Sequence, residues 1–337
     1  MKPNILFIST LNLNPGGHGG QEIFIKKLSK ILVEEKYPYI IASPSSLNSG
    51  SEFFITNEKK NFFKTLFNLK KIIKTHNINL IHSNDCYSNF LAFFLMFLTL
   101  FKIKTTSIIH DDYYSEYMPS FLKFKKKIYY HIDKTILFFF HSNLFYSDFL
   151  MTKLLFRKSI YLSPGIESGK SEKRKKSNNS KLKIGWAGRP DFFKKGFDIF
   201  FEIIKKYSCN GGDAEFHIAG FNAACIIDES IFHKTHNVIF HGYVEDINSF
   251  FKEIDILVIS SRYEGLCLLF LEALSNKIPV VYSDIPVFVH IAKSLNYPIP
   301  PAKTEIPDEF ISAIKNISSL NSEFLNEIPD KIRELYS

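Results

Sequence analysis

Residues 256–274 read ILVISSRYEGLCLLFLEAL, an apolar segment that passes through a polar turn into a second apolar segment. The run from Ile256 to Ser260 is short, apolar and β-branched, which predicts a buried strand of a parallel sheet. From Cys267 the apolar spacing becomes helical, and the sequence NKIP at 276–279 is expected to end the helix. Strand, turn and helix in this order predict an α/β unit.

Two glutamates flank this turn. Glu264 is expected in the strand-to-helix loop, at the carboxyl edge of the sheet, where open α/β sheets bind ligands. Glu272 lies about two helical turns into the helix and can face the same crevice. Two carboxylates so placed can hold vicinal sugar hydroxyls, while the free N–H groups of residues 265–267 suit a phosphate. The alternative is a helix-start charge and an unrelated, solvated glutamate.

The same alternation of strands and helices runs along the whole chain and predicts parallel sheets covered on both faces. The predicted strands are 4–9, 39–43, 80–83, 105–110, 182–186, 215–219, 237–241, 256–260 and 280–282. The predicted helices are 22–35, 198–206, 247–253 and 270–275, followed by a helical tail over 307–337 that Pro329 interrupts.

A polar, basic segment separates the two halves. Residues 169–180 read GKSEKRKKSNNS and contain no large apolar side chain, which predicts an exposed linker. A nucleic-acid or nuclear-localisation role is the alternative, but a solvated linker needs no partner. We therefore expect two Rossmann-like α/β domains facing across a cleft. The predicted parts are an N-terminal domain (1–167), a basic linker (168–182), a C-terminal domain (183–310) and a helical tail (311–337).

Composition narrows the class of protein. At 337 residues, with 45% hydrophobic and 23% charged residues, the chain is globular and long enough for two domains. The net charge of +8 favours an anionic partner, such as a phosphate, a nucleic acid or an acidic lipid. The four cysteines are scattered without a Cys-x-x-Cys pair, which argues for a reducing compartment and against a zinc site.

Neither a signal peptide nor a transmembrane helix is predicted. The apolar run at residues 5–8 is too short for a signal peptide. The longest apolar stretch, residues 90–101, is well below the roughly 20 residues that a span needs. This stretch is expected to form a core helix or one that rests on a membrane.

A second polar group follows the strand predicted at 182–186. Gly188 and Arg189 end the strand, Lys194, Lys195 and Gly196 lie in the loop, and a helix is expected near Asp198. An arginine fork and a mobile lysine charge are the usual partners of a diphosphate. The alternative is a loop that only aids solubility.

Taken in this order, the motifs resemble those of the retaining GT-B glycosyltransferases of family 4, also called group 1. In the second half the resemblance rests on GRPDFFKKG (188–196), FHIAG (216–220), NVIFHGYV (237–244), SRYEGLCLLFLEAL (261–274) and PVVYSD (279–284). In the first half it rests on Gly19-Gly20, IHS (81–83), IHD (109–111) and LSPGIE (162–167).

The resemblance implies roles for individual residues. Arg189 and Lys195 would hold the donor diphosphate and stabilise the leaving nucleoside phosphate. Glu264 would contact the transferred sugar, and Glu272 the ribose hydroxyls of the nucleotide. The remaining donor contacts would come from Gly20, Gly265, Leu266, Cys267 and Val244, and His110 would reach the outer hydroxyls of the donor sugar.

Some positions depart from the family pattern. Cys267 stands where relatives often have glycine, which leaves the identity of the donor sugar open, and His290 stands where they usually have a glutamate. Asp111 and Asp112 are adjacent, and the chain has no Asp-x-Asp of the kind that holds a divalent cation in GT-A enzymes. We therefore expect neither a metal nor a cofactor.

Two basic, aromatic segments lie in the first half, at residues 61–74 and 121–130. Such amphipathic segments suit the anionic face of a membrane. The alternative is a helix whose apolar stripe faces the core and whose lysines are solvated.

The resemblance thus implies a retaining, metal-independent glycosyltransferase of the hexosyltransferase type. It would move a sugar from a nucleotide diphosphate donor to a glycan or lipid-linked acceptor, which the N-terminal half would bind, in bacterial surface polysaccharide or lipopolysaccharide assembly. The expected location is the cytoplasm, with peripheral contact at the inner face of the plasma membrane. The alternatives are a GT-B nucleotide-sugar epimerase, a non-catalytic nucleotide-sugar-binding subunit and, least favoured, a nucleic-acid-binding protein.

Overall fold

A computed structural model describes residues 2–9, 20–43, 53–55, 61–110, 118–166, 181–189, 192–220, 237–319 and 322–336. The chain divides into two compact units, residues 1–114 with 119–162 and residues 115–118 with 163–337. The glycine-rich loop before residue 20, Asp111, Asp112, Cys225 and most of the predicted linker lie outside the described residues.

The first unit is built on a seven-stranded parallel sheet with the order β3-β2-β1-β4-β5-β6-β7. Its strands are β1 (Ile5–Ile8), β2 (Tyr39–Ser43), β3 (Phe53–Ile55), β4 (Leu80–Ser83), β5 (Lys104–Ile109), β6 (Ser142–Phe145) and β7 (Ser159–Tyr161). Its helices are α1 (Gly20–Glu34), α2 (Phe62–Thr75), α3 (Cys86–Leu98), α4 (Ser120–Leu137) and α5 (Asp148–Leu154).

Strand alternation divides the core of this unit between the two faces of the sheet. Leu6 and Ile8 of β1 pack into one hydrophobic cluster with residues of α2 and α3. Ile5 and Phe7, the intervening residues, pack into the other cluster, which includes Ile25 of α1. Successive side chains of a strand point to opposite faces, so a run of apolar residues serves two cores at once.

The second unit has a five-stranded parallel sheet with the order β10-β9-β8-β11-β12. Its strands are β8 (Leu182–Ala187), β9 (Ala214–Ala219), β10 (Val238–Gly242), β11 (Ile256–Ile259) and β12 (Val280–Tyr282). Its helices are α6 (Phe192–Lys195), α7 (Phe197–Cys209), α8 (Ile247–Phe251), α9 (Leu268–Ser275), α10 (Pro286–Ser294), α11 (Pro307–Ser319) and α12 (Ile328–Tyr336), with a 3₁₀ turn at Ser322–Leu325.

The predicted α/β class and parallel sheets are confirmed, while one detail of the tail is wrong. Pro329 does not interrupt a helix, because it lies in the first turn of α12, where the missing N–H has no intrahelical acceptor. The tail helices are instead separated before Pro329, between Ser319 and Ile328.

Candidate functional site

The candidate site lies at the carboxyl edge of the second sheet, where the strand order reverses. The sheet runs from β8 to β10 on one side and through β11 to β12 on the other, so β8 and β11 are neighbours across the switch point. Arg189 follows β8 by two residues and Glu264 follows β11 by five. Open α/β sheets bind their ligands at this kind of position.

Lys195 and Glu264 form the central charged pair of the site. The Lys195 Nζ is 2.6 Å from the Glu264 Oε1, and the Ser261 hydroxyl donates a hydrogen bond of 2.9 Å to the same oxygen. The side chain of Glu264 is 7% exposed and that of Lys195 is 23% exposed. Burial acts to lower the pKa of Lys195, but the Glu264 carboxylate outweighs this effect and holds the pKa above its ordinary value. The lysine therefore keeps its charge at neutral pH.

Gly196 and Ser260 fix the loop that carries Lys195. Ser260 donates a hydrogen bond of 2.7 Å to the Gly196 carbonyl and accepts one of 3.2 Å from the Trp186 indole. Gly196 has a φ of +64°, and a Cβ there would collide with the Ser260 carbonyl oxygen. Only glycine allows the loop after β8 to approach the loop after β11 this closely.

Arg262 ties the same two loops together, and sequence analysis missed its role. Its guanidinium forms bidentate pairs with Asp198, at 2.8 and 2.6 Å, and with Glu305, at 2.6 and 3.0 Å. It also donates a hydrogen bond of 2.9 Å to the Phe193 carbonyl and lies over the Phe193 ring at 4.4 Å.

The environment of Arg262 fixes its charge. Burial would lower the pKa of the guanidinium, but the hydrogen bonds to Asp198 and Glu305 outweigh that effect and raise it. Asp198 lies in the first turn of helix α7, and the backbone N–H of Arg262 donates to the Lys194 carbonyl. Arg262 thus holds the segment that carries Lys195 against the segment that carries Glu264.

Cys267 is the residue before helix α9 and adopts a left-handed conformation, with φ 63° and ψ 80°. Burial raises the pKa of its thiol to about 12, and the carboxylates of Glu264 and Glu272 add to the shift. The thiol is therefore neutral and is not a nucleophile at physiological pH. The conformation also gives a physical reason for the glycine that relatives often have here, since αL is costly for residues with a Cβ.

The other sequence-predicted residues of this unit differ in exposure. Arg189 is exposed at the end of β8, whereas Gly265 and Leu266 are buried in the loop that precedes α9. Glu272 is half-buried on α9, and its charge acts on the Cys267 thiol together with those of Glu264 and Lys195. Further from this group in sequence, Val244, after β10, and His290, on α10, are both half-buried.

Two predicted residues belong to the first unit. Gly20 is the first residue of α1. His110 follows β5, and its Nε2 donates a hydrogen bond of 2.9 Å to the Oδ1 of Asn84, which is the first residue after β4. The His110 ring also lies 5.4 Å from that of Tyr146, after β6.

The sequence around Arg262 gives little indication of its role in the site. Its charge sits between two buried serines and Glu264, yet its partners lie 64 and 43 residues away in the chain. No local sequence pattern indicates that Arg262 pairs with Asp198 and Glu305. Within the residues that the structure describes, no group of three or more His, Cys, Asp or Glu side chains is arranged to hold a metal ion.

The site geometry can be set beside known proteins. The family described as Glycosyl transferases group 1 matches residues 181–319, the segment that contains all the site residues of the second unit. The match covers less than half of the chain, and the second unit is therefore similar to the group 1 glycosyltransferases.

Two relatives of this chain come from bacteria. An uncharacterized 41.2 kDa protein in the cps region of Klebsiella pneumoniae is 24% identical over 297 residues, with 79% of this chain and 76% of the relative covered. The O-antigen biosynthesis glycosyltransferase WclY of Escherichia coli is 28% identical over 103 residues, with 29% of this chain and 28% of the relative covered.

The fold also has similar solved structures. The Anabaena protein HepE, in complex with UDP and glucose, is 12% identical and has a TM-score of 0.73, with 99% of this chain and 96% of that chain covered. At this identity the likeness concerns the fold alone. The chain thus has the GT-B fold, with two parallel α/β sheets.

Proposed function

We propose that this protein is a group 1 glycosyltransferase, which transfers a hexose from a nucleotide diphosphate donor with retention of anomeric configuration and without a metal ion. The observation that carries the proposal is the Lys195–Glu264 pair at the switch point of the second sheet. It places a permanent positive charge and a carboxylate side by side in a partly buried setting, where both interact more strongly than in water.

The two charges suit the two parts of the donor. Lys195, with Arg189 and the N–H groups at the start of α9, supplies positive potential for the diphosphate. Glu264 then accepts hydrogen bonds from the hydroxyls of the transferred sugar, and Glu272 from those of the ribose. The Ser261 hydrogen bond to Glu264 keeps the carboxylate oriented when Lys195 turns to phosphate.

In the proposed reaction an acceptor hydroxyl attacks the anomeric carbon on the face from which the nucleotide leaves. The bond from the anomeric carbon to the phosphate oxygen breaks as the new glycosidic bond forms. The departing phosphate oxygen accepts the hydroxyl proton, so no carboxylate nucleophile is needed. Lys195 and Arg189 stabilise the negative charge that develops on the leaving phosphate.

The relatives and a similar solved structure support the donor and acceptor classes of this proposal. UDP-glucose and related UDP-sugars are the first donors to test, because HepE has been solved with UDP and glucose. A glycan or lipid-linked acceptor of bacterial surface polysaccharide assembly, used on the cytoplasmic side of the membrane, fits the cps-region and O-antigen relatives. We propose that Gly20 and His110 also serve the donor, with His110 on the outer sugar hydroxyls.

Substitution of the two glutamates tests the division of roles. Glu272→Ala should weaken binding of free UDP, while Glu264→Ala should leave UDP affinity nearly unchanged and lower kcat. Calorimetric titration with UDP and initial rates of sugar transfer would measure both. Equal losses of UDP affinity in the two variants would contradict the assignment.

The same assays separate the alternatives. Conversion of the donor without any acceptor would indicate an epimerase, and binding of UDP-sugars without any turnover would indicate a non-catalytic subunit.

A further inference from the structure

Helix α4 carries an apolar stripe that is directed away from the core. Phe121, Phe124, Ile128 and Ile132 lie along one side of the helix, and their exposed fractions are 75%, 68%, 44% and 36%. The described buried residues of α4 are confined to its last turns, at Asp133, Ile136 and Leu137. The stripe is therefore not the core-facing side of an ordinary amphipathic helix. The alternative for residues 121–130, a helix whose apolar stripe packs on the core, is wrong.

A second apolar surface lies on the helices beside it. Helix α3 packs against both α2 and α4. Its aromatic rings and those of neighbouring residues form a chain of edge-on and tilted ring contacts, here called the aromatic ladder. The ladder passes from Phe62 of α2 through Phe90, Phe94, Phe93 and Phe97 to Phe101, with a branch from Phe93 to Phe139 and Phe138. Most of these rings remain 36–54% exposed.

The segments that carry both surfaces are strongly basic. Segments 61–110 and 118–166 contain fourteen Lys or Arg residues against three Asp and no Glu. One of the three, Asp133, is fully buried, and another, Asp85, caps helix α3. Lys123, Lys125, Lys126 and Lys127 alternate with the apolar stripe of α4.

We propose that helix α4 lies on the surface of an anionic lipid bilayer, with its apolar stripe in the headgroup boundary, and that the aromatic ladder extends this contact. Exposed aromatic side chains with interleaved lysines match that boundary, in which the rings enter the acyl edge and the lysines meet lipid phosphate. A second copy of the chain is a poor occupant, because two such basic faces would repel each other. None of the described helices is long and apolar enough to cross a membrane.

Vesicle sedimentation tests the proposal independently of sugar transfer. The full-length protein is mixed with vesicles of phosphatidylglycerol and phosphatidylethanolamine, or of phosphatidylcholine alone, at low and high salt. We expect binding to the anionic vesicles only, with loss at high salt. Equal binding to both vesicle types, or binding to neither, would overturn the proposal.

Two sets of variants separate the charges from the stripe. The triple variant Lys125→Glu, Lys126→Glu, Lys127→Glu should bind anionic vesicles about a hundredfold more weakly. The triple variant Phe121→Ser, Phe124→Ser, Ile128→Ser should bind anionic vesicles about tenfold more weakly. The double variant Phe97→Ser, Phe101→Ser should weaken this binding by a smaller factor. All these side chains are exposed or half-exposed, so a circular dichroism melt should match that of the unchanged protein.

Matched changes in the second unit provide the controls. The first control makes the same charge change on exposed lysines, in the triple variant Lys252→Glu, Lys293→Glu, Lys315→Glu. The second control removes apolar residues that are 40–42% exposed, in the triple variant Val289→Ser, Ile306→Ser, Leu335→Ser. Both control variants should sediment with anionic vesicles like the unchanged protein. If a control loses as much binding as its counterpart on α4, or if the stripe variant binds normally, the proposed surface is wrong. Self-association of the protein that the stripe variant abolishes would also overturn it and indicate a protein interface.

Discussion

The two units share a parallel sheet with a switch point, yet they place their charged and apolar side chains differently. In the second unit, Lys195, Glu264, Arg262, Asp198 and Glu305 form pairs at the sheet edge. At the corresponding edge of the first unit, the described residues Asn84 and His110 are joined by a hydrogen bond.

The outer surfaces differ as well. Several large apolar side chains of the first unit are more than 60% exposed, including Phe63, Leu100, Phe121 and Phe124. Among the described large apolar residues of the second unit, none exceeds the 49% of Tyr243. A unit that must bind a diphosphate needs fixed charges held by partners, whereas a unit with a lipid-facing role can leave apolar surface uncovered. The predictions below test this division.

The largest effect is expected from the Lys195 charge. Lys195→Ala removes an electrostatic stabiliser of the leaving phosphate and should raise the barrier to transfer by about 2–4 kcal/mol, or roughly 30- to 1000-fold in rate. Lys194→Ala is the matched control, because the neighbouring ammonium lies over the Tyr263 ring at 5.2 Å instead of against Glu264. Initial transfer rates measure both. Similar rates in the two variants would remove Lys195 from the site.

Arg262 should matter for the stability of the second unit. Arg262→Met leaves Asp198 and Glu305 without their shared partner and should lower the free energy of unfolding by about 2–3 kcal/mol. The effect is smaller than for a fully buried pair because both carboxylates are about half exposed. Trp186 is the only tryptophan and is buried in this unit, so its fluorescence during urea unfolding reports on this unit.

The control for Arg262 is another arginine in the same unit. Arg333 pairs with Asp330 on the surface of α12, and Arg333→Met should change the free energy of unfolding by less than about 0.5 kcal/mol. An equally small effect at Arg262 would mean that its network does not stabilise the site.

These two arginines also show what a sequence can predict. The alternation of apolar runs with helical segments suffices for the sheets, and a local motif with its resemblance to a family suffices for Glu264, Lys195 and Glu272. The pairing of Arg262 with Asp198 and Glu305 depends on how α7, the loop after β11 and the segment before α11 meet in space. The strands β3, β6 and β7 were missed; β6 and β7 each begin with a serine and lack the fully apolar run by which the equally short β12 was predicted.

The exposed phenylalanines are a further case. Periodicity identified the amphipathic segment 121–130, but it could not tell a stripe packed on a core from one exposed to solvent. That distinction depends on whether a neighbouring element covers the stripe, and in α4 the first turns are left uncovered.

Acid should weaken the first unit through His82. Burial and the charge of His110 lower the pKa of His82 to about 3, while an unfolded histidine has a pKa near 6.5. The unfolded state therefore binds the proton first, and stability present above about pH 6.5 is lost as the pH falls toward 3. At pH 5 the loss is about 2 kcal/mol.

Hydrogen exchange of peptides from β4 and β5, corrected for the intrinsic rate at each pH, measures this loss. Between pH 7.5 and pH 5 the free energy of unfolding of the first unit should fall by about 2 kcal/mol less in His82→Gln than in the unchanged protein. The second unit contains histidines of its own with a lowered pKa, the buried His217 and the half-buried His241, so its acid sensitivity should be unchanged in this variant. The same pH dependence in both proteins would show that His82 is not the group responsible.

The smallest effect concerns the backbone at Cys267. Cys267→Gly relieves the strain of the left-handed backbone conformation but adds conformational freedom to the unfolded chain. The free energy of unfolding should therefore rise by about 0.5 kcal/mol. Cys267→Ala removes the thiol and keeps the strain, and it should bring no gain. Trp186 fluorescence in urea compares the two. A larger gain from alanine than from glycine would mean that the thiol, not the backbone, is the source of strain.

The central claim is that fixed charges of the second unit bind a nucleotide diphosphate without a metal, and calorimetric titration with UDP in the presence of EDTA tests it most directly. The account predicts that the unchanged protein binds UDP in EDTA, that added Mg²⁺ changes the Kd little, and that Lys195→Ala weakens binding at least tenfold while Lys194→Ala does not. Binding that disappears in EDTA and returns with Mg²⁺, or binding that is the same in Lys195→Ala, would contradict it.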